Sequence, residues 1–282
     1  VEEYTLKFDG KLPPALEVSR EEINDALTEA DPDFVSTLLN SMENISDFHN
    51  RQKHQSFLNP KENGVILGQR IRGLKRVGLY VPGGTAAYPS SVLMNAIPAK
   101  IAGVQELIMV TPPMKDGKAN PDILTAAAIA GLDRGAQAVA ALAYGTEKVP
   151  KVDKIVGPGN IFVATAKKLL YGVVDIDMIA GPSEILVLAD ETSEPSYVAA
   201  DLMSQAEHDK MASAILLTTS RKLAEETVKE ITRQMQTLSR REIIEKSLTD
   251  FGGIIVCEST DQAVELANEI APEHWEVTLA KP

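Results

Sequence analysis

Three kinds of residue or segment are scarce in this sequence, and each shortage excludes something. The 282 residues include one cysteine, Cys257, which excludes an internal disulfide framework and a multi-cysteine metal site. Aromatic residues make up 5% of the chain, so its core must be built mainly from aliphatic side chains. No apolar run approaches the roughly 20 residues that span a bilayer. The first residues lack the basic and apolar segments of a signal peptide, and we expect a cytoplasmic protein.

Positive charge is also in short supply. The chain has 28 Lys and Arg residues against 40 Asp and Glu residues, a formal net charge of −12. A negative field repels nucleic acids and anionic membranes, so we expect neither as a partner. The length is sufficient for two domains.

Helices and a polar stretch precede a region of alternating strands and helices. We predict helices over 20–27 and 34–48 and a loop over 54–64, which is polar. From Arg76 onward, short apolar strands alternate with helices, a pattern typical of βαβ units and parallel sheets. Ligands in such folds bind at the carboxyl ends of strands. The candidate loops are therefore those after Val81, Val156, Met178 and Leu217.

Polar residues flank an apolar stripe in the segment 197–208, which we predict to be helical. Gln205 and His208 are three residues apart, so their side chains can converge on one point, with Asp201 on the same flank. An imidazole nitrogen and an amide oxygen suit zinc or a similar divalent ion. Because Gln is a rare metal ligand, the spacing alone favours an ordinary helix surface.

A second polar pair, Glu273 and His274, follows Pro272, which we expect to end a helix and begin a loop. Adjacent side chains seldom contact each other, so the pair would serve two different atoms of a substrate. His is the usual general base near neutral pH, and Glu can activate water. An exposed loop without function is the alternative. Trp275 is expected to pack against the core.

Glycine-rich turns form a third candidate group. Tyr80–Gly84 and Gly157–Asn160 each follow a predicted strand, and the second leads into a helix whose free N–H groups suit an anion. Neither turn matches a known dinucleotide or P-loop pattern. Ser183 lies in another tight turn without a nucleophile-elbow pattern, so we interpret it as a hydrogen-bonding contact.

Seven segments resemble the histidinol dehydrogenase family in order and approximate spacing, from about Tyr4 to the last residue. They are Val77–Gly84, Gly135–Ala141, Val152–Ile155, Gly157–Asn160, Ala180–Glu184, Ser204–His208 and Pro272–His274. One small departure is Arg134, since the family has Gly-Gly where this chain has Arg134-Gly135.

The resemblance implies an α/β fold of two Rossmann-like, aldehyde-dehydrogenase-like domains with mainly parallel sheets. We expect one of them to be discontinuous. Our division assigns residues 1–76 and 184–282 to the first domain and residues 77–183 to an inserted second domain.

The resemblance also implies a function, the last steps of histidine biosynthesis. The reaction is the NAD-linked, zinc-dependent oxidation of L-histidinol through the aldehyde to L-histidine. Family members are homodimers whose site is completed across the subunit interface. By position, Gln205 and His208 would bind zinc and substrate, and Ser183 and His274 would contact substrate. Glu273 and His274 would be the catalytic acid–base pair. Tyr80, Gln137 and Asn160 would contact NAD.

The family also has a C-terminal segment that supplies a further Asp and His to the metal, and this chain has no counterpart of it. Two ligands make a weak zinc site, so we expect these 282 residues alone to be inactive. Two alternatives remain open. One is a related metal-dependent dehydrogenase of another amino alcohol or a sulfonated alcohol. The other is a non-catalytic relative that binds small molecules.

Overall fold

The computed structural model describes residues 3, 6–7, 11, 15, 17–83, 87–132, 134–135 and 139–281. It divides the chain into two compact units, which we call unit 1 (Val1–Ala180) and unit 2 (Gly181–Pro282).

Unit 1 begins with two helices and a hairpin, followed by alternating strands and helices. Its elements are α1 (Arg20–Glu29), α2 (Pro32–Asn50), β1 (Phe57–Pro60), β2 (Ile66–Gln69), β3 (Arg76–Tyr80), α3 (Pro89–Ile101), β4 (Glu106–Val110), α4 (Pro121–Ile129), β5 (Arg134–Gly135), α5 (Val139–Tyr144), β6 (Lys154–Val156), α6 (Ile161–Leu170) and β7 (Asp175–Ile176).

Unit 2 continues the alternation. Its elements are β8 (Glu184–Ala189), α7 (Pro195–Ala206), β9 (Ser213–Thr218), α8 (Arg221–Met235), α9 (Arg241–Phe251), β10 (Gly252–Val256), α10 (Thr260–Ile270) and β11 (His274–Thr278). Two helices, α8 and α9, connect β9 to β10.

The sheet of unit 1 has five strands in the order β5-β4-β3-β6-β7, all parallel. Side chains alternate along β4, where Leu107 and Met109 join one buried cluster while Ile108 and Val110 join another. Both faces of the strand are therefore covered, which explains why it is a continuous apolar run.

The N-terminal helices belong to this unit. Ser19 opens α1 with a capping box, because its hydroxyl accepts from the Glu22 N–H at 3.1 Å and its own N–H donates to the Glu22 carboxylate at 2.9 Å. The Thr125 hydroxyl of α4 donates to the Ala26 carbonyl at 3.1 Å, and Leu38 of α2 is buried in the same cluster as β3 and α3. Residues 20–50 thus pack against α3 and α4, whereas the sequence-based division grouped them with residues 184–282.

The sheet of unit 2 has four strands in the order β10-β9-β8-β11, again all parallel. Glu184 lies opposite Ser213, and Ile185 lies opposite His274. Unit 2 begins at Gly181, within a few residues of the domain boundary that we predicted after Ser183. Cys257 follows β10 and is 5% exposed, so its thiol is buried.

Two strand regions differ from the predicted loops. The antiparallel hairpin β1–β2 begins within the stretch 54–64, and both its strands are exposed. The segment after Pro272 forms β11, so His274 is the first residue of a strand. Trp275 was expected in the core, yet it is 46% exposed, because β11 is an edge strand of the described sheet. Across the described ranges, no helix is long and apolar enough to cross a membrane.

Candidate functional site

The candidate residues of unit 2 gather where its strands begin, a region we call the amino edge. Ser183 directly precedes β8, and Glu273 directly precedes β11. Because β8, β9 and β11 are parallel and in register from their first residues, the segments before them meet at this edge. The Ser213 N–H donates to the Ser183 carbonyl at 3.0 Å, which ties two of these segments together. These residues lie at the amino ends of the strands, whereas the loops predicted to bind ligands lie at the carboxyl ends.

The helix α7 brings Gln205 and His208 to the same edge, since it runs back across the sheet and is followed by β9. Its apolar face, with Val198 and Leu202 each 1% exposed, packs in the cluster that contains β8 and β9. Gln205 is half-buried in the last turn. His208 is exposed and lies in the turn beyond the helix, whose last residue is Ala206.

Only the backbone geometry of this pair departs from the prediction. We expected both residues on the helix, but the His208 N–H donates to the Gln205 carbonyl at 3.0 Å in a turn that ends it. The His208 carbonyl accepts from the Arg240 guanidinium at 3.4 Å. One amide oxygen and one imidazole nitrogen suit part of a zinc shell. The described ranges contain no cluster of three or more His, Cys, Asp or Glu residues able to hold a metal.

The imidazole of His274 has a defined orientation. Its Nδ1 lies 3.1 Å from the carbonyl oxygen of Glu184. A carbonyl only accepts hydrogen bonds, so Nδ1 carries the hydrogen, and the lone pair of the neutral ring is on Nε2. Nε2 has no hydrogen bond within the described part of the chain, and the side chain is 51% exposed, so this nitrogen is accessible from solvent.

Glu273 is close to His274. One of its carboxylate oxygens lies 3.7 Å from Nδ1, and the side chain is 57% exposed. The expectation that these adjacent side chains stay apart is therefore wrong. Side chains alternate between the two faces of a strand, but Glu273 precedes the strand. The side chains of Glu273 and His274 can therefore lie on the same side of the backbone.

A pair of carboxylates, Asp201 in α7 and Glu276 in β11, was not identified from the sequence. Burial raises the pKa of Asp201. The pKa of Glu276 is raised by burial and, to a lesser extent, by the negative charge of Asp201. Asp201 lies one helical turn before Gln205, so negative charge is concentrated beside the proposed metal ligands.

In unit 1 the candidates lie at the opposite end of the strands, the carboxyl edge. Tyr80 is the last residue of β3, and Gly157 follows the neighbouring parallel strand β6. Gly157 has a φ of 118°, and a Cβ at this position would collide with the Tyr80 carbonyl oxygen. The backbone contact requires glycine and brings Tyr80 beside the Gly157–Asn160 turn. Gln137 lies outside the described residues.

Asn160 caps the helix that follows this turn. Its side-chain oxygen accepts from the N–H groups of Phe162 at 3.1 Å and Val163 at 3.2 Å. The side chain is exposed, and its amide nitrogen has no hydrogen bond within the described part of the chain. The α6 N-terminus, with a free amide donor beside it, suits an anionic or polar ligand.

These features define a class of protein: an α/β protein of two units with parallel sheets, of the kind found in aldehyde dehydrogenases. A solved propionaldehyde dehydrogenase from Clostridium phytofermentans has a TM-score of 0.50 and 12% identity, over 93% of this chain and 81% of that chain. This likeness supports the fold alone.

The chain belongs to the histidinol dehydrogenase family, whose sequence model matches residues 1–282. Histidinol dehydrogenases from Clostridium acetobutylicum and Lactococcus lactis are each 57% identical over 99% of this chain. The crystal structure of histidinol dehydrogenase from Elizabethkingia anophelis has a TM-score of 0.91 and 37% identity, over 98% of this chain and 65% of that chain. The chain spans 66% of the length of the Clostridium and Lactococcus relatives.

Proposed function

We propose that the protein carries out the NAD-linked, zinc-dependent oxidation of L-histidinol through the aldehyde to L-histidine. Membership of the histidinol dehydrogenase family supports the substrate and the reaction. The observation that carries the proposal is the hydrogen bond between His274 Nδ1 and the Glu184 carbonyl, at 3.1 Å. It leaves Nε2 ready to accept a proton, as the oxidation of an alcohol requires.

His274 acts as the general base of the first oxidation. Its Nε2 takes the proton of the substrate hydroxyl as the hydride leaves the adjacent carbon, so the two losses together form the aldehyde. The ring then carries a positive charge. Glu273, with an oxygen 3.7 Å from Nδ1, stabilises that charge, and its effect is reduced by solvent because both groups are half-exposed.

The second oxidation requires water to add to the aldehyde. We assign Glu273 the removal of a proton from that water, because its carboxylate is exposed and lies beside His274. Glu273 precedes β11 and belongs to no helix or strand. Ser183, half-buried at the amino edge, is assigned a hydrogen bond to the substrate.

Gln205 and His208 are proposed to bind zinc and to contact substrate, with the remaining ligands supplied by residues other than those described. When bound, zinc would polarise the substrate as a Lewis acid, and NAD would accept the hydride in each oxidation. Tyr80, Gln137 and Asn160 are proposed contacts to NAD. We further propose a homodimer whose site is completed by the partner, and a cytoplasmic location; both follow from the family.

The test uses the protein together with the C-terminal segment that the family has, and it measures bound zinc and the formation of NADH from histidinol in the wild type and in Gln205→Ala, His208→Ala and His54→Ala. The last variant is the control, because His54 is exposed in unit 1. Loss of residues beside metal ligands lowers affinity or activity by about 10–100-fold, so loss of a ligand itself should exceed about 100-fold. His54→Ala should match the wild type.

Undiminished zinc in both ligand variants would contradict the metal assignment. Faster turnover of a sulfonated alcohol than of histidinol by the wild type would overturn the substrate assignment.

A further inference from the structure

A buried lysine lies behind the Gly157–Asn160 turn of unit 1. Lys167 is on the inner face of α6 and is 2% exposed. Its ammonium donates to the Gly157 carbonyl at 3.0 Å and forms an ion pair with Asp177, whose side chain is 29% exposed. A buried ammonium is costly to desolvate, and a buried ion pair is weak evidence for stability alone. The position of this pair therefore calls for another explanation.

Asp177 binds the other backbone polar group of the same residue. It follows β7, and its second oxygen accepts from the Gly157 N–H at 2.8 Å. The N–H and the carbonyl of Gly157 are thus both bound by one ion pair, which connects the residue after β6, the last turn of α6 and the segment after β7.

The backbone conformation of Gly157 determines the geometry of the turn. Its φ of 118° strongly favours glycine, and its Cα packs against the Tyr80 carbonyl. Asn160, three residues later, caps α6. A change in the backbone dihedral angles of Gly157 would move both the contact with Tyr80 and the cap, because the intervening turn is short.

We propose that Lys167 and Asp177 are positioning residues, which hold the Gly157–Asn160 turn in the conformation that binds NAD. The inference rests on the proposed function, in which Tyr80 and Asn160 contact the dinucleotide. Neither side chain need touch the ligand. The pair acts through the backbone N–H and carbonyl of Gly157, and a rigid turn lowers the entropic cost of ordering that binding would otherwise require.

The same sheet offers a matched control. Lys154 and Asp175 form an ion pair at 2.8 Å between the first residues of β6 and β7, with side chains 30% and 53% exposed. Both ion pairs involve residues on or next to β6 and β7, but Lys154 and Asp175 lie where these strands begin, away from the turn. Replacing them shows how the loss of an ion pair affects the protein when Gly157 is not disturbed.

The test compares two double variants, Lys167→Met/Asp177→Asn and Lys154→Met/Asp175→Asn. Replacing both partners avoids an unpaired buried charge, and the amide oxygen introduced by Asp177→Asn can still accept from the Gly157 N–H. Three quantities are measured: the thermal midpoint, the Kd for NAD by calorimetry, and hydrogen exchange of the Gly157 and Gly159 amides without NAD.

We expect Lys167→Met/Asp177→Asn to remain folded at the temperature of the titration, to exchange the turn amides faster, and to bind NAD on the order of tenfold more weakly. The Lys154→Met/Asp175→Asn control should keep the wild-type Kd within about twofold, because exposed pairs contribute little. A purely structural role would lower the midpoint without changing the Kd.

The outcomes separate the two proposals. If the wild type binds NAD and the Lys167→Met/Asp177→Asn variant binds it equally well, this inference is overturned and the proposed function stands. Unchanged amide exchange would also overturn it. If the wild type binds no NAD, the proposed cofactor fails, and this inference fails with it.

Discussion

The two units present their candidate residues at opposite ends of parallel strands. In unit 1, Tyr80 and Asn160 lie at the carboxyl edge, where the N-terminus of α6 also lies. In unit 2, Ser183, Glu273 and His274 lie at the amino edge. The helices that precede the strands of unit 2 end there: α7 beside Gln205 and His208, and α10 beside Glu273 and His274.

This difference has an electrostatic meaning. A helix N-terminus carries partial positive charge and favours an anion, such as the pyrophosphate of a dinucleotide. A helix C-terminus carries partial negative charge and favours a cation, such as a zinc ion or a protonated imidazole. The edge on which a site lies thus matches the charge it is proposed to receive.

The largest effect we expect in unit 1 comes from Gly157→Ala, with Gly172→Ala as the control. Both glycines have positive φ, 118° and 96°, but a Cβ at Gly172 meets nothing within 4 Å, whereas one at Gly157 collides with the Tyr80 carbonyl. Strained φ costs about 1–3 kcal/mol. The collision adds to that, so Gly157→Ala should lower the free energy of unfolding by at least about 3 kcal/mol in denaturant titrations. Equal losses in the two variants would show that the contact with Tyr80 is not needed.

A smaller effect is expected from Asn160→Ala, and Asn120→Ala matches it closely. Asn120 caps α4 in the same manner, accepting from the Asp122 N–H at 2.9 Å and the Ile123 N–H at 3.3 Å. Each substitution should cost about 1 kcal/mol of stability because a cap is lost. Only Asn160→Ala should weaken binding of NAD, measured as Kd. Weakening of similar size in both would break the assignment of the carboxyl edge to the dinucleotide.

The smallest expected effect is electrostatic and lies in unit 2. Burial raises the pKa of Asp201 above its ordinary value of 3.8, so the folded state disfavours the ionised form. The stability that the protonated group provides is full below pH 3.8 and is lost as the pH rises through the folded pKa. Asp201→Asn should therefore raise the thermal midpoint at pH 7 by roughly 1–2 °C, after allowance for solvent screening, and leave it unchanged below the ordinary pKa.

Asp190→Asn is the control of opposite sign. Hydrogen bonds, first from the Thr192 hydroxyl and then from the Ala280 N–H, lower the pKa of Asp190, so its ionised form stabilises the fold above pH 3.8. This substitution should lower the midpoint at pH 7. A gain in both variants would indicate a general effect of removing negative charge from a chain of net charge −12.

Local signals in the sequence were sufficient for the elements around the turn of unit 1. The turn Gly157–Asn160 lies between a strand, Lys154–Val156, and a helix, Ile161–Leu170, as predicted, because an apolar run, a Gly-Pro-Gly-Asn turn and an amphipathic helix follow one another directly. The burial of Lys167 was not predictable in this way. Its partners, Gly157 and Asp177, are 10 residues away on either side and meet only when β6 and β7 pair.

Longer-range pairing explains the other differences. β11 is short and largely exposed, and it is a strand because it pairs with β8. The residues after Pro272 carry no strand pattern of their own, so they were predicted to form a loop. The roles of Gln205, His208 and Glu273 came from family resemblance, since their spacing alone favoured a surface. The orientation of His274 depends on the Glu184 carbonyl, 90 residues earlier, and no sequence pattern predicts it.

The pairing of β11 with β8 also has a consequence for the order of folding. Closing a loop of 90 residues is entropically slow compared with forming the adjacent β8–α7–β9 segment. We therefore expect a nascent chain to place Gln205 and His208 before His274 is oriented. The proposed zinc ligands would then precede the proposed base in time as they do in sequence, and a chain in which β11 has not yet paired would have no oriented base with which to act on substrate.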